Sequence, residues 1–461
     1  MFEWIKDFIK GVRYQMFPVA TIQDALGIEM AMSTQMSRAV QNWMELFGQK
    51  GGVGLPAAIA GELARLATIE SEITVSGSAR AEYLSRQLQP VRDRLRTQTE
   101  LGIAGGGLAF KPYIDGERIA VSYVPASAVY PASFDDSGHL TAAVFVECIN
   151  RNGNVYRRLE YHRLEAEGCV IENRAFVTSA VLGDAVLGEP IPLARVPEWA
   201  GLEPKITIQN VDRLLLGYFK MPLANNVEPG SPLGVSGYSR AVDLIHQADE
   251  QWRRILWEYE GTELAVHADE TLFRADSMGR RLLPDGHERL YRLVPGLENK
   301  MEVFSPAIRD EPLFNGFNNM LKRIEFQCGL AYGTLSDPQN VDKTAEEIRA
   351  SKQRSFAQVR DIQKALQTAL DDLVYAMDVW ATLGGLAPAG AYQTAYSWDD
   401  SIVNDPGERK KLFWAYVQEG KFPFARYLQE FEGYGEDEAA AIVAAAAAES
   451  GTDEPLAFGA G

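Results

Sequence analysis

The feature that most constrains this chain is a helix-forming segment of about forty residues, from Thr344 to Leu383. Its apolar residues recur every three or four positions, which predicts one amphipathic helix. They form a single stripe of Val359, Ile362, Leu366, Leu370, Leu373, Met377 and Trp380. At 1.5 Å per residue the helix would reach about 60 Å. A compact domain seldom needs that length, so we expect an extended subunit.

The remaining segments predict an α+β fold that is mainly helical. Residues 1 to about 100 show helical spacing, and we interpret the glycines at 51, 52 and 54 as a flexible linkage. The next stretch is rich in β-branched and aromatic residues and contains turn signals, which predicts an antiparallel meander. Its strand-like pieces are Ile119–Val124, Ala142–Ile149, Val155–Leu164 and Cys169–Phe176. The three consecutive glycines at 105–107 predict a loop.

Two amphipathic segments then bracket a strand-like insert at residues 263–310, which predicts a helical hairpin with a small β-containing tip. Such a hairpin exposes apolar surface unless neighbouring copies cover it. Trp252, Tyr259, Phe317 and Leu321 are therefore candidate subunit-interface residues. An intramolecular helical core explains the same side chains equally well.

The charge pattern argues against a protein that grips nucleic acid tightly. The net charge is −18, from 63 acidic and 45 basic residues, and residues 399–461 supply −8 of it. DNA-binding surfaces are normally basic, so sequence-specific binding is not expected. This negative charge is compatible with an acidic channel wall past which DNA slides. It is equally compatible with acidic residues that only keep the protein soluble.

No motif for catalysis is present in the sequence. The five histidines lack the spacing of a zinc site, and neither a phosphate-binding GxxxxGK[ST] loop nor a GxSxG elbow occurs. Paired acids lie in a turn at Asp135-Asp136, on the long helix at Asp371-Asp372, and before a helix at Asp399-Asp400. We interpret the pair on the long helix as part of a solvated face. No enzyme activity, metal or cofactor is predicted, and the alternative is a metal-dependent nuclease using Asp399 and Asp400.

The sequence predicts neither a membrane-spanning segment nor a disulfide framework. Charges interrupt every apolar run of the N-terminal sequence MFEWIKDFIK, and no run approaches the ~20 apolar residues that span a bilayer. The three cysteines, Cys148, Cys169 and Cys328, form no metal-ligand spacing. Their odd number disfavours a disulfide framework.

Three segments resemble the portal proteins, or head–tail connectors, of long-tailed phages. They are YFKMPLANNVEPGSPLGVSGYSRAVDLI at 218–245, GTLSDPQNVDKTAEEI at 333–348 and SWDDSIVND at 397–405. The order and spacing of the three segments also match, and the resemblance extends over roughly the whole chain to residue 450.

The resemblance implies a portal-type subunit with named parts. The wing would be 1–235, stem helix 1 would be 236–262, the clip 263–310, stem helix 2 311–332, and the tunnel loop 333–343. A long helix returning to the wing would occupy 344–398, and a helical crown 399–461. The implied tunnel-loop residues that contact DNA are Ser336, Asp337, Gln339, Asn340, Asp342 and Lys343. The implied docking residues of the clip are Arg280, Arg281, Asp285, Arg289 and Arg292.

The same resemblance implies a structural function in a virion. About twelve copies would close into a ring at a capsid vertex, where double-stranded DNA passes non-specifically during packaging and ejection. The implied partners are other copies of the chain, the large subunit of the packaging motor (terminase), a head–tail adaptor, and the major capsid and scaffold proteins. The expected location is the virion, and the host cytoplasm during assembly. An alternative is an acidic protein-binding scaffold or minor capsid protein without a DNA channel.

Overall fold

The computed structural model describes residues 13–14, 16–69, 71–182, 185–262, 265–269, 272–274, 278, 291–294, 301–304, 307–337, 345–398 and 406–450. Contacts divide the chain into two units, residues 1–396 and 397–461, which are described separately. Helices and several sheets confirm the mixed α+β fold. In the described ranges, no helix combines the length and hydropathy that crossing a bilayer requires.

Among the described residues of the first unit, four helices come first, as the helical spacing predicts. They are α1 (Val19–Leu26), α2 (Thr34–Phe47), α3 (Leu55–Thr68) and α4 (Ala79–Gly105), with the short strands β1 (Arg13–Tyr14) and β2 (Glu72–Ser76) between them. The side chains of Ser33 and Ser78 accept the N–H groups of Met36 and Ala81. These two serines therefore satisfy backbone donors at the starts of α2 and α4.

The glycine run before α3 is a fixed junction, so the prediction of a flexible linkage was wrong. The backbone N–H of Val53 donates a 2.7 Å hydrogen bond to the carboxylate of Asp249, which lies nearly two hundred residues further along the chain. A Cβ at Gly52 would lie 2.8 Å from both carboxylate oxygens. The loop closes on Asp249 because Gly52 has no side chain.

The strands form two principal sheets rather than one meander. The larger has seven strands: β1, β5 (Val129–Phe134), β6 (Leu140–Arg151), β7 (Asn154–Glu165), β8 (Gly168–Ser179), β9 (Glu189–Ile191) and β10 (Lys205–Gln209). Its central strands β6, β7 and β8 are antiparallel neighbours, as predicted. The smaller sheet pairs β3 (Gly107–Asp115) with β4 (Arg118–Pro125) and β11 (Gly217–Lys220). The predicted strand at 119–124 therefore belongs to the second sheet.

The three glycines at 105–107 form a helix-to-strand junction rather than the predicted loop. Helix α4 ends at Gly105 and β3 begins at Gly107. Gly106 has φ of +87°, a left-handed conformation that glycine adopts without steric cost. A Cβ at this position would also lie 2.8 Å from the carbonyl carbon of Val235, so the backbone segments approach closely.

A buried ionic cluster joins the two principal sheets. Lys111 of β3 donates a 2.6 Å hydrogen bond to Glu160 of β7. Arg158 bonds to Glu147 at 2.7 Å and pairs with Glu160 at 2.8 Å. His162 contacts the second Glu160 oxygen at 2.6 Å. All five residues are at most 3% exposed. Two cations face two carboxylates, so the cluster is neutral when the imidazole is neutral.

The cluster has a pH dependence whose sign follows from its surroundings. Burial lowers the pKa of His162, although Glu160 opposes the change. Burial alone would raise the pKa of Glu160, but Lys111 and Arg158 hold it well below its usual value of 4.5. As the pH falls, the unfolded chain therefore binds more protons than the folded chain. The stability present at neutral pH is therefore lost as pH falls below about 6.5 through His162, and below about 4.5 through Glu160.

We expect His162→Gln to flatten the fall in the free energy of unfolding between about pH 6.5 and 5, because glutamine has no proton to gain there. The measurement is urea denaturation at fixed pH values across this range. His246→Gln is the matched control, since His246 is exposed. Equal pH dependence in the parent and both variants would contradict the assignment.

The long helix is present as α7 (Ala345–Leu383), and the predicted apolar stripe is buried from Val359 to Trp380. It packs on β3, β11 and α3. After it, β15 (Gln393–Ser397) pairs with β2. Arg80 fixes the turn after α7 by donating to the carbonyls of Ala387 and Pro388 at 2.8 and 2.9 Å. The end of α7 is therefore fastened to the start of α4.

The hairpin elements lie between β11 and α7. They are α5 (Val242–Gly261), β12 (Ala265–Ala268), β13 (Tyr291–Leu293), β14 (Met301–Phe304) and α6 (Asp310–Gln327). The three strands form one small sheet with β12 in the middle.

The second unit contains α8 (Pro406–Gln418), α9 (Phe424–Glu432) and α10 (Glu436–Ser450), as the helical prediction for the tail requires. An aromatic cluster joins α8 to α9. Phe413 lies 4.9 Å from Phe422 and 5.1 Å from Phe431, measured between ring centroids, and Trp414 lies 5.2 Å from Tyr427.

Candidate functional site

Helices α5 and α6 form an antiparallel hairpin with an aromatic interior. The ring of Trp252 lies 5.7 Å from Phe317 and 6.4 Å from Phe314, and Tyr259 lies 6.5 Å from Phe314. These separations are typical of attractive aromatic pairs. The rings fix the two helices against each other along the half of the hairpin that leads to the small sheet.

The four candidate interface residues are engaged within this chain to different degrees. Phe317 and Leu321 are buried, and Trp252 packs on Phe314 and Phe317, so these three contribute to an intramolecular core. Tyr259 contacts Phe314 but is 41% exposed. A role for these four residues in contacts between subunits stays a prediction.

Two exposed aromatic side chains lie on the outer faces of the hairpin helices, and the sequence prediction missed both. Trp257 of α5 is 68% exposed and Phe326 of α6 is 56% exposed. The helical spacing from Ile255, which is buried, places Trp257 on the far side of α5 from α6. Phe326 borders a shallow cleft of about 470 Å³ with Leu244, Arg323 and Tyr332. Trp257 therefore lies away from α6, whereas the ring of Phe326 is partly covered by Arg354 of α7, whose guanidinium lies 4.5 Å from the ring centroid.

The tip of the hairpin is closed by a charged pair and a small sheet. Arg309 donates two hydrogen bonds to Glu258, at 3.0 and 2.8 Å, between the end of α5 and the start of α6. Beyond this pair, β12 runs antiparallel to β14 and parallel to β13. Arg292 lies over the ring of Phe304 at 5.4 Å. The other predicted docking residues, Arg280, Arg281, Asp285 and Arg289, lie outside the described residues.

A buried carboxylate anchors the turn that follows α6. Glu325 is 0% exposed. Its oxygens accept the N–H groups of Leu335 and Ser336 at 2.6 and 2.8 Å and the hydroxyl of Ser336 at 2.9 Å. Asn318 accepts the N–H of Asp337 at 2.8 Å. Burial of a carboxylate is tolerated when several donors surround it, so this turn has a fixed conformation.

The predicted tunnel loop is only partly described. Ser336 is 4% exposed and hydrogen-bonded to Glu325, so its side chain is an anchor of the turn and does not line a passage. Asp337 begins the segment that leaves the turn. Gln339, Asn340, Asp342 and Lys343 lie outside the described residues, and DNA contact by the loop stays a prediction.

Glu325 and Asn318 were missed by the sequence reasoning, although a signal was present. Glu325 lies four positions after Leu321 and one after Ile324, on the face that the apolar pattern assigns to the core. A charged residue on a buried face needs partners. The partners could not be identified from the sequence, because most of them are backbone N–H groups.

The paired acids have structural partners where they are described. Asp135 accepts the N–H groups of Ser137 and His139, which confirms its place in a turn. Asp371 accepts the hydroxyls of Thr394 and Tyr396 at 2.8 Å, and Asp372 pairs with Arg213 at 2.9 Å. The prediction of a solvated face for Asp371-Asp372 was therefore wrong, since both acids tie α7 to neighbouring segments.

The described residues contain no group of three or more His, Cys, Asp or Glu side chains that could hold a metal ion. The three cysteines are buried, and none of them forms a disulfide. Burial raises the pKa of the Cys169 thiol to about 11 and that of Cys328 to about 12. These thiols are therefore protonated at neutral pH. Asp399 and Asp400 lie outside the described residues, and the absence of enzyme activity stays a prediction.

Comparisons with known proteins give matches among solved structures but none at the level of sequence families or curated proteins. No protein-family model matches the sequence, and no curated protein matches it. Among solved structures, a chain in the neck of a native GTA particle, computed with C12 symmetry, is similar with a TM-score of 0.42 and 11% sequence identity. The alignment covers 86% of this chain and 93% of that chain.

Proposed function

We propose that this protein is a portal-type ring subunit that forms the DNA channel at a capsid vertex of a phage-like particle. The observation that carries the proposal is the α5–α6 hairpin, which bears a small sheet at its tip and an exposed apolar side chain on each outer face. It connects the sheets of the first unit to the 39-residue helix α7. The segments at 218–245 and 333–348 that resemble portal proteins flank this hairpin directly.

The two outer faces support a head-to-tail assembly. A single exposed apolar residue is ordinary on a protein surface. Here Trp257 of α5 and Phe326 of α6 are two different exposed side chains, each on the face of its helix turned away from that helix's buried residues. Two different surfaces on opposite sides of a subunit are what a heterologous contact uses, and such contacts close into a ring when the rotation between copies allows it.

In the proposal, the loop after Asp337 faces the axis of the ring and touches DNA weakly. Glu325 and Asn318 support this role because they fix the turn from which the loop leaves. The net charge of −18 supports a passage rather than a binding site, because few cations are available to hold phosphates. The subunit contributes geometry and no catalysis.

The tip sheet is the proposed docking surface for the packaging motor and the head–tail adaptor. In the described residues, β13 and β14 are the edge strands of the tip sheet. Edge strands carry backbone groups that can pair with a strand from a partner. Met301 and Val303 on β14 are also exposed, at 57% and 70%, which adds apolar contact area at the same edge.

Assembly is the direct test. We expect the purified protein to form rings with a central hole in negative-stain images, because closure covers the apolar outer faces. Mass photometry should give about 610 kDa for twelve copies of the 51.0 kDa chain. A protein that stays at 51 kDa across micromolar concentrations and ionic strengths would overturn the proposal. An assembly without a hole would favour the acidic scaffold instead.

A further inference from the structure

We propose that Trp257 of α5 packs over Gly316 of α6 in the neighbouring copy, as a bulky ring seated in a notch on a helix. This inference rests on the proposed ring and names a side-chain contact that holds its copies together. Both residues belong to the part of the first unit that the structure describes. Both are exposed in the single chain, so neither forms the interior of the hairpin.

Trp257 has no place in the core of its own chain, since it is 68% exposed. The buried stripe of α5 contains Ile245, Ala248 and Ile255. Helical spacing points Trp257 almost directly away from that stripe. A tryptophan ring can bury about 150–250 Å² when it is covered, and such rings dominate the binding energy of many protein interfaces. Trp257 is therefore a candidate anchor for a second copy.

Gly316 leaves a notch on the outer face of α6. It lies inside the helix, on the side opposite the buried Glu325. A Cβ at Gly316 would meet no heavy atom within 4 Å. Glycine is less favourable than alanine inside a helix, and the packing of this chain gives no reason for it. A glycine does allow another group to approach the backbone closely.

The surroundings of the notch suit an aromatic ring. Pro312, Asn315 and Asn319 are the exposed residues nearest to Gly316 along the outer face of α6, and none of them carries a charge. An indole that covers this surface therefore leaves no charge buried without a partner.

Contacts within the chain fix the level of the notch along the hairpin. The ring of Trp252 lies 5.7 Å from that of Phe317, and nearer the tip Glu258 pairs with Arg309. Gly316 directly precedes Phe317 and therefore lies level with the residues that follow Trp252 on α5.

The ring of Trp257 reaches the same level, although its Cα lies nearer the tip. Side chains on a helix lean toward its N-terminus, so Trp257 covers the turn formed by residues 253–256. All copies in a closed ring share one height, and hairpins that stand side by side along the axis bring Trp257 of one copy to Gly316 of the next. A twofold contact between two α5 helices would not involve Gly316.

Two effects of opposite sign at Gly316 give a test in the full-length protein. We expect Gly316→Ala to raise the melting temperature of the dissociated subunit, because alanine favours the helix. The same methyl group fills part of the notch and should lower the fraction of rings seen by mass photometry. A glycine that served only the fold of the subunit would not separate these two readouts.

Larger changes should have larger effects on assembly. We expect Gly316→Leu and Trp257→Ala each to raise the protein concentration at half-assembly about tenfold or more. Leu256→Ala is a control that truncates the exposed residue beside Trp257, on a different face of α5. Ala58→Leu is a control that adds the same bulk to an exposed position of α3. Both controls should assemble like the parent.

An equimolar mixture of Trp257→Ala and Gly316→Leu chains is the decisive arm. Where the two chains alternate, one contact restores tryptophan over glycine, and the next places alanine over leucine. We therefore expect the mixture to form more rings than either variant alone, with equal amounts of the two chains by native mass spectrometry. A mixture without such recovery would overturn the pairing.

The inference and the proposed function fail in different ways. If the parent forms rings and Gly316→Leu assembles like the controls, the notch is refuted while the ring stands. Loss of assembly in Trp257→Ala alone would assign the tryptophan to another contact and refute the pairing as well. If the parent forms no rings, the proposed function itself is refuted.

Discussion

Replacing Lys111 by methionine is expected to lower the free energy of unfolding by about 3–5 kcal/mol. The substitution keeps most of the side-chain volume but removes the ammonium group that lies 2.6 Å from Glu160. Glu160 is 1% exposed and would remain charged or take up a proton, and both outcomes cost free energy. The measurement is urea denaturation of the variant and the parent at pH 7.

A second substitution separates loss of the pair from loss of packing. The double variant Lys111→Met, Glu160→Leu has no carboxylate at position 160 between the two sheets. We therefore expect its free energy of unfolding to lie between those of Lys111→Met and the parent. Arg118→Met is a matched control on the neighbouring strand β4, where the arginine is exposed and pairs with Asp115 in a surface bridge. Equal stability of Lys111→Met and Arg118→Met would contradict a central role for the cluster.

Replacing Glu325 by alanine is expected to release the turn at residues 333–337 and to lower the free energy of unfolding by about 3 kcal/mol. The carboxylate accepts the N–H groups of Leu335 and Ser336, and both would lose their partner. Hydrogen exchange should show the effect directly, as faster exchange at these two amides. Alanine is a strong helix former, so the substitution should leave α6 itself helical.

Two controls assign the effect to the turn. Glu325→Gln keeps one oxygen acceptor, so we expect exchange rates between those of the parent and Glu325→Ala. Glu311→Ala removes an exposed acid from the same helix and should leave the turn amides unchanged. Unaltered protection of Leu335 and Ser336 in Glu325→Ala would show that the buried carboxylate does not hold the turn.

The elements set by local periodicity could be predicted from the sequence. The stripe from Val359 to Trp380 is buried as expected, because one helix face packs on the sheets along its length. The division into two sheets could not be predicted, because it depends on pairing between distant segments. Strand β3 pairs with β11, about a hundred residues away, and neighbouring turn signals carry no information on that partner.

The buried cluster shows why polar residues mislead a sequence prediction. Arg158, Glu160 and His162 alternate along β7, a pattern that usually marks the solvent face of a strand. The face is covered here, because Lys111 of the other sheet supplies the charge that makes burial possible. At the candidate site, the hairpin and the aromatic residues of its interior were predictable, whereas the exposed Trp257 and Phe326 were not. The buried anchor Glu325 was not, since its partners are mainly backbone groups.

The bond between Asp249 and Val53 has a mechanical consequence for the hairpin. Asp249 lies in the first half of α5, so the stretch from there to Gly261 is an arm of about 18 Å. A partner that pulls sideways on the tip sheet exerts a torque about this attachment. The Asp249–Val53 hydrogen bond passes this force to the backbone at Gly52 and Val53, just before α3 begins. Tension applied at the tip is thereby transmitted to the N-terminal helices.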